Sequence, residues 1–126
     1  PTQYGALAAL ESDNSFVFNM RDTFKIRRDL LRSKISETLG KQLPNPEGAF
    51  YLFVPVQELY GKVTPNGKVI SDSISFCSYL LESFGLAIIP GKAFGMDSCV
   101  RFSYAASEET LLEASKRFEL GVKSLK

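Results

Sequence analysis

Cys99-Val100-Arg101-Phe102-Ser103-Tyr104 alternates large apolar residues with small or charged ones. Successive side chains of a strand point to opposite faces, so this period of two predicts a strand with Val100, Phe102 and Tyr104 on one side and Cys99, Arg101 and Ser103 on the other. Downstream, Ser107 is placed to cap a helix. Glu108 and Glu109 stand in its first turn, with Leu111, Leu112, Ala114, Phe118 and Val122 on its buried side. Upstream, Leu86 to Ile89 reads as a short strand and Pro90 to Gly95 as a loop with two glycines. Before these, Ser71 or Ser73 caps a helix whose apolar stripe is Ile74, Cys77, Leu80, Leu81 and Phe84, ended by Gly85.

Further out, the turn cluster Pro44-Asn45-Pro46-Glu47-Gly48 leads into Ala49 to Val54, an aromatic and branched run typical of a buried, central strand. Val56 to Gly61 reads as one helical turn, and Lys62 to Ile70 as a surface excursion. From Ser15 to Leu39, apolar residues at Phe16, Met20, Phe24, Leu31, Ile35 and Leu39 recur at helical spacing, with Gly40 as the cap. Gln3 to Leu10 is a helix too short to be stable alone, broken by Glu11 to Asn14. The order helix, long helix, strand, helix, strand, strand, helix predicts an α+β fold. It is an α/β two-layer sandwich, with a small sheet of about three strands covered by helices. Leu80, Ile88, Phe102 and Phe118 are expected in one core.

At 126 residues and 44% hydrophobic, the chain suits one domain with a real core. Its 15 basic and 14 acidic residues nearly cancel, which removes the broad electrostatic case for nucleic acid or anionic membrane as partner. On the long helix, Arg21, Lys25, Arg28, Arg32 and Lys34 are interleaved with Asp22, Asp29 and Glu37, so this side reads as a solvated face. The absence of histidine excludes Ser-His-Asp and Cys-His relays and argues against a zinc site, so no metal is expected. Cys77 and Cys99 read as reduced core residues. No run approaches the roughly 18 apolar residues of a membrane span, and the start PTQYGALAAL lacks signal-peptide regions, so a cytoplasmic protein is expected.

Three spaced segments, PEGAFYLF at 46–53, IPGKAFG at 89–95 and RFSYAASE at 101–108, resemble the successive signatures of one family. It is the small, carboxyl-terminal domain of class I and II pyridoxal-phosphate-dependent aminotransferases, of the aspartate aminotransferase type. The resemblance runs from about Phe16 to Leu125 and includes the triplet Arg27-Arg28-Asp29. It implies an enzyme, a homodimer when intact, that moves an amino group between an amino acid and a 2-oxo acid by means of pyridoxal 5'-phosphate. Aspartate is the amino acid it suggests. In the family a large domain holds the cofactor and the small domain closes over the substrate. Residues 1–14 are then the tail of a helix linking to the missing large domain, and residues 15–126 are the small domain. A start at Pro1 without methionine agrees with a piece of a longer chain.

Carried over residue by residue, the resemblance makes Arg101 the group that grips the substrate α-carboxylate. The glycine loop Gly91 to Gly95 and the turn Gly48-Ala49-Phe50 resemble segments beside the substrate entrance and are read here as turns that need glycine. No catalytic and no cofactor-binding residue is expected in this chain. The lysine that carries the cofactor, the aspartate against its pyridine nitrogen and the phosphate anchors belong to the large domain. Lys92 lacks the serine-x-x-lysine context of the cofactor lysine. The chain alone is therefore expected to be inactive, to bind no cofactor, and to expose an apolar patch on Ala6 to Leu10 and part of the long helix. Two other readings are a free-standing small-molecule-binding regulatory α+β domain and an interaction domain using Arg21 to Lys34. Neither accounts for the three motifs.

Overall fold

The computed structural model describes residues 1–126. Helix α1 (Thr2–Glu11) is followed by the long α2 (Ser15–Leu39), strand β1 (Tyr51–Pro55), helix α3 (Ser73–Phe84), strand β2 (Ile89–Pro90), strand β3 (Cys99–Ser103) and helix α4 (Glu108–Lys123). Short 3-10 turns cover Gln57–Leu59 and Gly91–Phe94. The fold is the expected α+β type, a three-stranded antiparallel sheet in the order β1-β3-β2 with helices packed on it.

The alternation in β3 sets the two faces. Val100 and Phe102 pair with Val54 and Leu52 of β1, and all four are buried. On this face, Phe118 of α4 meets Phe102 edge-on at 5.4 Å between ring centroids, and Phe76 of α3 meets Phe118 at 6.1 Å. Leu31 and Ile35 in the second half of α2 are fully buried and belong to the same core. Where α3 and α4 cross, Gly121 permits the approach, since a Cβ there would lie 2.3 Å from the Leu80 side chain.

The structure corrects several expectations. The first strand is an edge strand, not the central one: β3 takes the centre because it pairs with β1 on one side and β2 on the other. The α3 cap is Asp72 rather than Ser71 or Ser73. Its carboxylate accepts from the Ser75 N–H at 2.8 Å, and the Ser75 hydroxyl accepts from the Asp72 N–H at 3.0 Å. The buried side of α3 is Ser73, Phe76, Cys77, Tyr79 and Leu80, whereas Ile74 and Leu81 are exposed. Both helical faces of this segment are apolar enough to pack, and the sheet selects the one that carries Phe76. On α4, Leu112 is exposed, while Ser115 is buried with its hydroxyl donated to the Leu111 carbonyl at 2.7 Å.

The second strand is also shorter and later than expected. Leu86 is buried, but pairing starts only at Ile89, opposite Arg101. Upstream the chain leaves β3, and a groove opens between Ala87–Ile88 and Phe102–Ser103. The excursion at residues 62–70 is tied down at its ends: Val63 exchanges two backbone hydrogen bonds with Lys126, and Ile70 is buried. In α1 no residue is buried, and Phe16, Val17, Phe18 and Met20 at the start of α2 are exposed, so the expected stripe of α2 finds partners only from Phe24 onward.

Leu80, Phe102 and Phe118 lie in the core as expected, while Ile88 is half-buried at its margin. Leu80→Ala, Phe102→Ala and Phe118→Ala should each lose about 2 to 5 kcal/mol of stability, and Ile88→Ala distinctly less. Urea unfolding of the four variants measures the difference.

Candidate functional site

Arg101 stands at the middle of β3, on the face away from the helices, with Phe53 of β1 and Ile89 of β2 as its cross-strand neighbours. Its guanidinium carbon lies over two aromatic rings, 4.2 Å from the centroid of Tyr51 and 4.2 Å from that of Phe94. Phe94 in turn meets Phe53 edge-on at 5.7 Å. Each cation–π contact stabilises this placement by about 0.5 to 2 kcal/mol. Contact with aromatic rings restrains the guanidinium without an oxygen acceptor taking up any of its five N–H donors. Every ion pair of the chain uses another cation, and no carboxylate or carbonyl of the chain takes up the Arg101 donors. A half-buried, oriented guanidinium with unspent donors is suited to a planar, two-oxygen anion such as a carboxylate.

Phe94 comes from the loop with two glycines. Gly91 is buried, and a Cβ on it would lie 2.2 Å from the Met96 carbonyl oxygen and 2.3 Å from that of Cys99, so only glycine permits this path. Gly95 has a left-handed φ of 72° and closes the turn by donating its N–H to the Lys92 carbonyl at 3.1 Å. Cys99, expected on the open side with Arg101, is buried. Its backbone carbonyl abuts Gly91 of this loop.

The turn before β1 forms a second wall. Ala49 has a φ of 60°, a left-handed conformation that an alanine seldom adopts. Two bonds from Tyr104 hold the turn: its hydroxyl donates to the Ala49 carbonyl at 3.2 Å, and its N–H donates to the carbonyl of the next residue, Phe50, at 2.9 Å. Burial keeps the Tyr104 phenol above its ordinary pKa, so the donor proton is retained. Two arginines of α2 anchor the approach to this turn. Arg28 donates to the Pro46 carbonyl at 2.9 Å and pairs with Asp29, and Arg32 donates to the Leu43 carbonyl at 2.9 Å. The basic side of α2 is therefore not simply a solvated face: these two cations are used as tethers.

The sequence profile of the aminotransferase class I and II family matches residues 1–118. The chain belongs to the class I and II aminotransferases. Over 117 residues it is 42% identical to an aspartate/prephenate aminotransferase of Cereibacter sphaeroides, covering 93% of this chain and 29% of that protein. An aspartate aminotransferase of Rhizobium meliloti is 41% identical over 116 residues, 92% of this chain and 28% of that one. Among solved structures, an aspartate aminotransferase from Rhizobium meliloti superposes with a TM-score of 0.92 at 39% identity, covering 96% of this chain and 30% of that one. The aromatic aminotransferase of Pyrococcus horikoshii superposes with a TM-score of 0.81 at 33% identity, covering 96% and 30%. This chain thus spans under a third of the length of the relatives it matches.

Within this aminotransferase chain, the three sequence segments meet around one side of the sheet. Arg101 comes from the third segment, Tyr51 and Phe53 from the first, Phe94 from the second. The two aromatic rings on Arg101 were not legible in the sequence. Strand parity places Tyr51 and Phe53 on one face, but only the pairing of β1 with β3 brings that face to Arg101. Lys92, beside the clamp ring Phe94, is exposed and ion-paired with Asp72 at 3.7 Å. In the aminotransferase turn, replacing Ala49 by glycine relieves a left-handed Cβ at the smaller entropic cost of the added chain freedom. Ala49→Gly should therefore raise stability by about 0.5 to 1 kcal/mol, read as a higher midpoint in thermal unfolding.

Proposed function

We propose that this chain is the small domain of an aspartate-type aminotransferase and that Arg101 binds the α-carboxylate of the substrate. Residues 15–126 form the domain, and residues 1–14 are the end of a helix that leads to the remainder of the enzyme. The intact enzyme transfers an amino group between an amino acid, aspartate foremost, and a 2-oxo acid with pyridoxal 5'-phosphate. The names of its aspartate and aspartate/prephenate aminotransferase relatives support that substrate class. The observation that carries the reading is the Arg101 guanidinium, held 4.2 Å from the ring centroids of both Tyr51 and Phe94 with its N–H donors unpaired.

The residues of this chain do not fit the cofactor. Lys92, the only lysine of the loop beside Arg101, is paired with Asp72 and is open to solvent. The part of this chain is therefore to bind and orient. Two parallel donors on the two carboxylate oxygens fix the substrate's backbone end, while the two rings restrain the guanidinium. The remainder of the enzyme packs on the exposed apolar side chains Leu7, Leu10, Phe16 and Phe18, since a monomer seldom leaves so many open together. The intact protein is assigned as a cytoplasmic homodimer. No helix of the chain is long and apolar enough to cross a membrane.

The isolated chain should neither take on the colour of bound pyridoxal phosphate nor transaminate aspartate with 2-oxoglutarate; turnover that survives purification and dialysis is the contrary result. In the intact enzyme, Arg101→Lys should keep fold and cofactor while weakening every substrate by roughly 2 to 5 kcal/mol, because one ammonium cannot replace two parallel donors. All substrates share the α-carboxylate, so kinetics on aspartate, glutamate and an aromatic amino acid should show the same loss. Unchanged efficiency, or a defect confined to the acidic substrates, removes Arg101 from this role.

A further inference from the structure

We propose that Ser73 and Asp97 are positioning residues of the carboxylate site, tying the loop that carries Phe94 to the start of α3 and so holding that ring over Arg101. This inference rests on the reading of Arg101 as the carboxylate-binding group. Phe94 ends a four-residue 3-10 turn that has no side-chain cap, and the residue is 47% exposed. A turn this short and open does not hold an aromatic ring in one place by its own hydrogen bonds. The ring is nevertheless placed against two partners, the Arg101 guanidinium and Phe53.

Besides the loop's own backbone bonds, from the Gly95 N–H to the Lys92 carbonyl and from the Met96 N–H to the Gly91 carbonyl, one buried hydroxyl ties it to α3. Ser73 is fully buried at the first position of α3. Its Oγ donates to Asp97 Oδ1 at 2.6 Å and accepts from the Lys92 backbone N–H at 3.2 Å, so it bonds a residue within the turn and a residue just beyond it. The Ser73 backbone N–H also donates to Asp97 Oδ1 at 3.1 Å, which sets a carboxylate on the positive end of the helix. From the other side, the Tyr60 hydroxyl donates to the Asp97 backbone carbonyl, and burial, the largest cause, pushes the Tyr60 phenol up to about 12, so this donor keeps its proton. Lys92 Nζ adds a looser tie to Asp72 at 3.7 Å.

Asp72 caps α3 through a reciprocal pair of bonds with Ser75, and the Asp97 carboxylate takes the Ser73 N–H of the same helix end. The Ser73 hydroxyl satisfies no N–H of α3, so its bonds to Asp97 and to the Lys92 N–H are not explained by capping. Removing the hydroxyl leaves the Lys92 N–H unpaired and the Asp97 carboxylate with one donor fewer. The turn loosens, Phe94 leaves the guanidinium, and Arg101 must be ordered by the substrate instead of in advance.

The test is a double-mutant cycle in the intact aminotransferase. Ser73→Ala and Phe94→Leu should each raise KM for amino acid and oxo acid by about ten-fold with kcat little changed, the pattern of a lost uniform binding contribution. If Ser73 acts through Phe94, the double variant should be no worse than Phe94→Leu alone. Effects on KM that multiply in the double variant, a Ser73→Ala protein that is less stable with KM unmoved, or an unmoved KM in Phe94→Leu each overturn the proposal. If Ser73→Ala does not fold, Asp97→Ala takes its place in the cycle, and the same three results overturn the proposal. Arg101→Lys, run alongside, separates the two readings. An unmoved KM there removes the carboxylate role and this inference with it. A raised KM there, with multiplying Ser73 and Phe94 effects, removes only the Ser73–Asp97 tie.

Discussion

Phe102 and Phe118 meet edge-on at 5.4 Å, and both are almost wholly excluded from water. Because side chains of a strand alternate between faces, burying Phe102 under α4 leaves its neighbour Arg101 no choice of side. A slip of one residue in β3 would put the guanidinium into an apolar core at several kcal/mol and strip the core of its aromatic ring. The side on which Arg101 stands is thus a consequence of a contact in the core. The same pairing carries Phe53 and Ile89 to either side of Arg101, so the walls of the site come from the register that builds the core.

The arginines of this chain show how surroundings divide one residue type among different tasks. Arg28 gives its donors to the Pro46 carbonyl and to Asp29, Arg32 binds the Leu43 carbonyl, and Arg117 binds the Gly85 carbonyl and Glu113. These are structural tethers. Arg101 is restrained instead by two aromatic rings, contacts that take up no donor.

The two ends of α2 have different fates for a related reason. Leu31 and Ile35 are buried in the core, where α2 packs on α4, whereas Phe16, Phe18 and Met20 remain on the surface together with α1. The second half has α4 to pack on, and the first half extends past the domain. Near the boundary, Phe24 stacks with Phe50 at 6.2 Å and touches Tyr104, which links the helix to the strained turn at Ala49.

The period-two pattern of residues 99–104, the Ser107 cap with its two glutamates, and the glycines closing α2 and α3 determined the strand β3, the three main helices and the α+β class, because these signals act within a few residues of the chain. The family, too, was legible from three short segments and their order. Other features were decided by the tertiary structure. Either apolar side of α3 was able to pack until the sheet chose Phe76 and Tyr79 over Ile74 and Leu81. The α3 cap fell to Asp72 because Ser73 was drawn into the core by Asp97 and the Lys92 N–H. β3 rather than β1 became central because pairing joins residues about fifty apart, a distance over which local preference says nothing. The clamp on Arg101 depends on the same long-range pairing. Its arginine was visible in the sequence, and its rings became neighbours only when the sheet closed.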